Sequence, residues 1–584
     1  MEAKYYTNER NVQIMIALLK EHGIHRVIAS PGTTNMTFVG SIQNDPFFHI
    51  WSCVDERSAA YMACGMADET REPVVLSCTG ATASRNYMSA LTEAYYRKLP
   101  VLAITSHRGD SEIGHLKDQQ IDRRSLPNDI SVQSVVIPMV KDKKDEQYCI
   151  NEGNKAILSL SQHGGGPVHI NMFTTYSRDF TIKEIPTVKK IVRYTQNEEL
   201  PDLPKGRIAI FVGAHKTFNA KETQAIDSFC AKYDAVVFTS HISGYHGKYL
   251  CNFSLVCGQR NYFSPFRNID LLIHLGEISG NTYSLGGKEV WRVSEDGALR
   301  NTFGTLTNIF EMDPFTFFNY YNQDLDIIHE DYLNSCQKEY DRIYKMIPEL
   351  PFGNIWIAQN TIQKLPEKCE FFMGILNSLR SWNFFQLPKG INAHCNVGGY
   401  GIDGGVSTLI GASFANPQKL YLGVFGDLAF FYDMNCLGNR HIGNNVRIML
   451  INNGRGTEFR NYGHPCYPYG EGADEFMAAA GHFGNKSPKL VKHYAEDLGF
   501  KYLSASNKEE YLTVVNQFTD SIMGDKPILF EVFTERQDES DALEIILNLF
   551  EKKTEKTSLK QEIKSVFKNV IGEKAVKIAK IIKE

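Results

Sequence analysis

The chain runs to 584 residues with a formal net charge of −5, 43% of them hydrophobic and 22% charged. That length has room for three or four domains, and so small a charge leaves no global electrostatic footprint for nucleic acid. Twelve cysteines without a Cys-x-x-Cys pair indicate neither a zinc site nor a disulfide framework; no apolar run approaches the roughly twenty residues of a membrane span; and Met1-Glu2-Ala3-Lys4-Tyr5-Tyr6 lacks the basic start and apolar core of a signal peptide. The expectation is a large cytoplasmic α/β protein in a reducing compartment, with no nucleic acid and no transmembrane segment.

In chain order, residues 1–180 alternate strands such as Val74-Val75-Leu76-Ser77 and Val101-Leu102-Ala103-Ile104-Thr105 with segments carrying apolar residues at helical spacing. Within them, Cys53-Val54-Asp55-Glu56-Arg57-Ser58-Ala59-Ala60 sets a carboxylate between a strand and a small-residue helix, although Asp55-Glu56-Arg57 by itself could be a solvated helix start. The polar stretch holding His107, Arg108, His115, Lys117 and Gln119 follows, and His115 could exchange a proton near neutral pH or be an ordinary loop histidine. A linker spotted with Pro186, Pro201 and Pro204 is expected from about residue 178 to 205. The central Rossmann-like unit, 190–345, gains its first core strand at Arg207-Ile208-Ala209-Ile210-Phe211-Val212-Gly213-Ala214; one Gly-x-His turn is weak evidence for a nucleotide, so a structural middle domain is expected. Pro348 and Pro351 lead into a third unit, 352–545.

The third unit carries the sharpest signal. Leu422-Gly423-Val424-Phe425-Gly426-Asp427-Leu428 and Ile448-Met449-Leu450-Ile451-Asn452-Asn453-Gly454 are apolar runs that each end in a metal-ligand type, separated by a helical segment. A right-handed crossover brings both ends to one sheet edge, the carboxyl edge, where open α/β sheets bind ligands. A carboxylate, an amide oxygen and a loop carbonyl suit Mg²⁺, which keeps positions for phosphate oxygens. Alone, Gly-Asp is a turn or cap and Asn-Asn-Gly a loop. Residues 551–584 hold ten lysines against five glutamates, with Leu559, Ile563, Phe567 and Val570 on an apolar stripe. A basic amphipathic helical tail is expected there, packing on the protein or a sister subunit rather than on a membrane.

Gly426-Asp427-Leu428 followed by Asn452-Asn453, with Glu56 in another unit, resembles the motif set of the thiamine-diphosphate (ThDP) enzyme superfamily. Within it the chain is most similar to the menaquinone-pathway synthase family, 2-succinyl-5-enolpyruvyl-6-hydroxy-3-cyclohexene-1-carboxylate synthase. The matching stretches are Ser30-Pro31-Gly32, Asp55-Glu56-Arg57, residues 82–94 with Asn86, Gln119, Gly401-Ile402-Asp403-Gly404 with Ser407-Thr408, and Tyr432-Asp433-Met434-Asn435. The resemblance implies three doubly wound parallel-sheet domains (pyrimidine-binding, central and diphosphate-binding), the first closed by Gly166-Pro167-Val168-His169-Ile170-Asn171. It implies ThDP and Mg²⁺ as cofactors, with Asp427, Asn453 and the backbone carbonyl of Arg455 on the metal. Glu56 would bond N1′ of the aminopyrimidine, its pKa raised by burial. Asn86, Gly426 and Leu428 would line the cofactor, Gly401 would offer it a backbone contact, and Ile402 would wedge it into a bent form. Gln119 would hold the 2-oxo acid donor. Active sites would lie between subunits of a homodimer or homotetramer.

Departures from that family bear on the substrate. Its Ser-Arg after Ser30-Pro31-Gly32 reads Thr33-Thr34, its Asn-Arg-Gly reads Asn396-Val397-Gly398, its Gly-Lys-Arg reads Gly280-Asn281-Thr282, and an apolar stretch is replaced by Arg455-Gly456-Thr457-Glu458-Phe459-Arg460-Asn461-Tyr462. Neutral side chains cannot replace a bidentate arginine on a carboxylate. The expected activity is therefore decarboxylation of a 2-oxo acid with transfer of the carbanion to a different, unknown acceptor, with Arg455 and Arg460 free to read a new acidic group. Alternatives are the menaquinone synthase itself, using isochorismate and 2-oxoglutarate, a simple decarboxylase, or a noncatalytic binding protein of the same fold.

Overall fold

A computed structural model describes residues 5–322, 328–481 and 487–550. The basic tail expected at 551–584 lies outside the described residues. Three sheets with flanking helices make an α/β fold. The first contains β1 (Arg26–Ala29), β2 (His49–Ser52), β3 (Val74–Thr79), β4 (Val101–His107), β5 (Gln133–Ile137) and β6 (Val168–Phe173). The middle sheet contains β7 (Val192–Thr195), β8 (Ile208–Val212), β9 (Val236–Thr239), β10 (Leu250–Asn252), β11 (Leu271–Leu275), β12 (Glu289–Ser294) and β13 (Leu306–Glu311). The third contains β14 (Glu370–Met373), β15 (Asn392–His394), β16 (Tyr421–Gly426), β17 (Val446–Asn452), β18 (Lys501–Ala505) and β19 (Ile528–Phe533).

The first and third sheets share one topology. Their orders, β2-β1-β3-β4-β6-β5 and β15-β14-β16-β17-β19-β18, are the same permutation, and every pairing in both is parallel. Parallel strands are covered on both faces, so central strands read as unbroken apolar runs rather than alternations; β17 and β4 are buried along their whole length. Around β17, Leu450, Ile448, Leu529, Phe430 and Phe425 form one core. Truncating a side chain such as Leu450 to Ala there costs about 2–5 kcal/mol. By compactness β7, β12 and β13 group with the first sheet, and β8 to β10 with the third.

Two expectations from the sequence are corrected. The proline-spotted stretch 178–205 is not all linker: β7 lies inside it and pairs in parallel with β13, Val192 opposite Asn308 through Thr195 opposite Glu311. Its four residues are all half-buried, so no period-two alternation announces the strand. Residues 168–173 form the last strand of the first sheet in chain order, but β6 lies between β4 and β5, and it is β5 that closes the edge.

The middle sheet runs β10-β9-β8-β11-β12-β13-β7, so strand order reverses between β8 and β11. A dinucleotide would enter at such a switch point. Here the turns after the two strands are sewn together: Gly213 N–H donates to Leu275 O at 3.0 Å and Glu277 N–H to Ala214 O at 2.7 Å. A Cβ on Gly213 would lie 1.9 Å from Glu277 O. Backbone fills the crevice that a pyrophosphate needs.

Candidate active site

At the carboxyl edge of the third sheet, β16 delivers Asp427 and the adjacent β17 delivers Asn453. Asp427 opens the helix Asp427–Asp433, is only 3% exposed, and accepts from Leu428 N–H at 2.7 Å and Gly454 N–H at 2.6 Å. Burial pushes its carboxyl up to about 7, against the pull of those backbone donors. Asn453 is buried and its Oδ1 accepts from Arg455 N–H at 3.3 Å. Among the described residues no three His, Cys, Asp or Glu side chains gather to hold a metal. The donors on offer are one buried carboxylate, one amide oxygen and loop carbonyls, a hard-oxygen set with room for phosphate and water, and an ion there would supply the positive charge that buried Asp427 lacks. The residues present fit Mg²⁺ carrying a diphosphate.

Gly401 is exposed and Ile402 half-buried in the loop ahead of the helix Gly405–Ala415. Asp433 holds the start of that helix: it accepts from Ser407 N–H at 2.6 Å and forms a short bond with Ser407 Oγ. The matched stretches around 401–408 and 432–435 are thereby joined.

The stretch 455–462 departs from expectation. Arg455 does not have a free side chain: it is 5% exposed, with Nη2 donating to Arg536 O at 3.2 Å and Nη1 3.5 Å from Asp474. Arg460 donates to Asp474 Oδ1 at 2.7 Å. Glu458 takes both guanidinium arms of Arg380 at 2.8 Å, and Tyr462 O–H donates to Asp541 at 2.5 Å. Arg455 and Arg460 are therefore both engaged within the fold, sharing the one carboxylate of Asp474, with a buried Nε of each left unpaired. Of the other replaced positions, Val397 is buried and Asn281 Oδ1 accepts from Tyr283 N–H.

At the first sheet, Glu56 begins the helix Glu56–Thr70, which Asp55 caps by accepting from Arg57 N–H at 3.2 Å and Ser58 O–H at 2.6 Å. Buried Ala59, Ala60, Ala63 and Ala67 let the helix lie close to its sheet. Asn86 Nδ2 donates to Glu56 Oε2 at 3.0 Å, joining two residues the sequence named separately. Glu56 is half-exposed in the single chain rather than buried. His115 and Gln119 are exposed, and Gln119 sits in the left-handed region with φ +58°.

Two networks were missed in the sequence. Under the 108–124 segment, buried Arg123 donates to Thr105 Oγ1 at 2.6 Å and makes a short bond to Asn171, while His169 Nε2 lies 2.8 Å from Thr105 Oγ1 and Nδ1 3.0 Å from Ser134 Oγ. Burial and then the nearby Arg123 charge pull His169 down to about 3, and the same two causes pull His107 down to about 4. Beside Asn453, Glu539 is a fully enclosed carboxylate on the helix Arg536–Leu547, and Arg536 Nε donates to Asn453 O at 3.3 Å. The available signal was a glutamate one turn before Ala542 and Leu543 on that helix's buried stripe.

Residues 10–126 match the family model described as the thiamine pyrophosphate enzyme, N-terminal TPP binding domain. The fold, this match and the relatives that follow define a thiamine-diphosphate-dependent enzyme of the 2-oxo acid decarboxylase and carboligase class. The chain is 30% identical over 573 residues to the 2-succinyl-5-enolpyruvyl-6-hydroxy-3-cyclohexene-1-carboxylate synthase of Bacteroides fragilis, covering 92% of this chain and 98% of that protein. It is 30% identical over 567 residues, with the same coverage, to the protein of that name from Bacteroides thetaiotaomicron, and 27% identical over 551 residues to that of Flavobacterium psychrophilum. The chain belongs to the family of these synthases.

Proposed function

We propose that the protein binds ThDP through Mg²⁺ on Asp427, Asn453 and the Arg455 carbonyl, decarboxylates a 2-oxo acid, and passes the carbanion to an acceptor other than that of its named relatives. The observation that carries the cofactor half is the buried Asp427 carboxylate beside Asn453 at neighbouring ends of parallel strands, short of compensating charge. Bound ThDP supplies the electron sink that makes loss of CO₂ feasible. The chain's own part is positioning and proton traffic. Glu56, steadied by Asn86, would hold the aminopyrimidine by hydrogen bond; Gly401, Ile402, Gly426 and Leu428 would shape the cofactor seat; Gln119 would hydrogen-bond the donor, and His115 would give or take its proton. Three domains bounded near 1–180, 190–345 and 352–545 accord with the three sheets.

A homodimer or homotetramer is part of this reading, with Glu56 from one chain serving Asp427 and Asn453 of another. The surface around Glu56 supports it, since Val54 is 76% exposed, Met62 55% and Tyr61 47%. A partner covering these apolar groups would also exclude water from Glu56. No described helix is long and apolar enough to cross a membrane, which fits a cytoplasmic enzyme.

The acceptor reading rests on Thr33, Thr34, Val397 and Asn281 standing where anion-binding residues are expected. A second reading, the relatives' own reaction with rearranged contacts, is favoured by the match over 98% of their length. The test is single-turnover absorbance and circular dichroism with ThDP, Mg²⁺ and a panel of 2-oxo acids, following CO₂ without acceptor. One reacting donor is the expected result; cofactor binding without any reacting donor overturns the decarboxylase reading. Product from isochorismate and 2-oxoglutarate at relatives' rates would favour the second reading.

A further inference from the structure

Three of the stretches that depart from the family pattern, 280–282, 396–398 and 455–462, meet around one small cavity of about 30 Å³. Gly280 and Asn281 line it, Tyr400 just past Gly398 lines it, and Glu458 reaches its wall through Arg380. Leu376 and Arg380, also in the lining, follow β14, so the cavity lies at the carboxyl edge of the third sheet. Tyr400 O–H donates to Gly280 O at 2.8 Å, which ties the loop carrying Gly401 and Ile402 to the 280–282 turn. Tyr400 sits in the left-handed region at φ +57°, a conformation that a residue other than glycine keeps only where its surroundings fix it. A Cβ on Gly456 would lie 3.2 Å from Leu428 Cδ1, so the stretch carrying Glu458 rests against the other side of the proposed cofactor seat.

Of the lining residues only Arg380 carries a charge. Its guanidinium is committed: Nη1 donates to Glu458 Oε2 and Nη2 to Glu458 Oε1, each at 2.8 Å, in the two-armed arrangement that guanidinium and carboxylate favour. Glu458 Oε2 also accepts from Asn461 Nδ2 at 3.2 Å. Both side chains are largely shielded, 16% and 22% exposed. Glu458 thus holds the face of Arg380 that the carboxylate of an anionic ligand would take, and it belongs to the stretch that replaces apolar residues of the family. A rival carboxylate has to evict Glu458 and leave it without its partner, which costs about 100-fold or more in affinity. What the cavity still offers is neutral: the Tyr283 hydroxyl is buried with no hydrogen-bond partner among the described residues, and the space takes about one or two water-sized groups.

We infer that Glu458 is a specificity-determining residue: by holding Arg380 it closes the one cationic contact of this cavity to carboxylates, so the acceptor enters there with an uncharged group, a hydroxyl or carbonyl that pairs with Tyr283. This inference rests on the carboligase reading and names the class of its acceptor.

The test uses the full-length protein with ThDP, Mg²⁺ and whichever 2-oxo acid releases CO₂. The acceptor probes are aldehydes in size-matched pairs, each carboxylate with its neutral amide, 4-formylbenzoate with 4-formylbenzamide and glyoxylate with glyoxylamide among them. The parent is expected to favour the amide in kcat/KM by about 100-fold. Glu458→Gln frees Arg380 and is expected to shrink that preference about tenfold or more, chiefly through KM for the carboxylate. Replacing both partners, Arg380→Met with Glu458→Met, removes the guanidinium as well and is expected to restore the preference for the amide. A pair that only braces the fold would lower the melting temperature in Glu458→Gln and leave the ratio between the probes unmoved, and that result overturns the inference. If Glu458→Gln does not fold, the parent decides: equal kcat/KM for the two members of each pair overturns the inference and leaves the carboligase reading standing. A parent that releases CO₂ but joins no aldehyde of the panel to the donor overturns the carboligase reading, and this inference with it.

Discussion

The carboxyl edges of the first and third sheets are built on one topology and finished to different degrees. At the third, Asp427, Asn453 and Glu539 are enclosed, hydrogen-bonded and held by strand ends of the same sheet. At the first, Glu56 is half-open beside exposed Val54 and Met62, and His115 and Gln119 stand in solvent. On the proposed reading, one chain would complete the diphosphate and metal seat, whereas Glu56 would need the low-dielectric cover that a second chain would bring. Preorganisation is local at one edge, and at the other it would await the proposed second chain.

The largest expected effect lies at the finished edge. Asp427→Ala should abolish Mg²⁺-dependent ThDP binding by calorimetry, and unchanged binding would remove the third sheet from the comparison. Glu56→Gln should cut turnover by orders of magnitude while cofactor affinity stays largely intact; a variant as fast as the parent would show that the first edge does not need its carboxylate.

A smaller effect belongs to the network beneath the first edge. His169 has a folded pKa depressed from 6.5 to about 3, so the unfolded chain takes up its proton first, and stability present above 6.5 is lost as pH falls through that window. Between pH 6.5 and 5 the loss should be about 2 kcal/mol. Thermal melts of His169→Gln should show a shallower acid limb than the parent; identical limbs would remove this network from the acid response. Smallest is Arg460→Met, expected to cost about 1 kcal/mol of stability through Asp474 and to leave KM for the donor unchanged. A rise in KM would return Arg460 to the substrate.

Much of the third edge was legible because its residues are adjacent in sequence to the strands that position them: Gly426-Asp427 and Asn452-Asn453 each terminate an apolar run. Glu56 was legible through its motif, whereas its bond to Asn86, a residue the sequence named separately, was not. Nor was Glu539, since its partners Asn354 and Asn377 lie far away in sequence and reach it only in the fold. The charged stretch 455–462 misled for the same reason. Its partners Arg380, Asp474 and Asp541 are supplied by other segments, and a run of unpaired charges in sequence became a set of internal pairs. β7 escaped notice because four half-buried residues among prolines carry no periodic signal.

Gly213 shows that resistance to substitution can be mistaken for chemistry. A search for glycine turns after apolar strands would score it as a nucleotide cradle, and a saturation screen of every position would rank it alongside Asp427, because even one methyl group has nowhere to go. Its close neighbours are backbone atoms of the turn after β11, so it is a seam between two turns. A tolerance map of this enzyme would therefore contain two kinds of forbidden position, separable only by asking whether the survivors of substitution fail to fold or fold and fail to turn over.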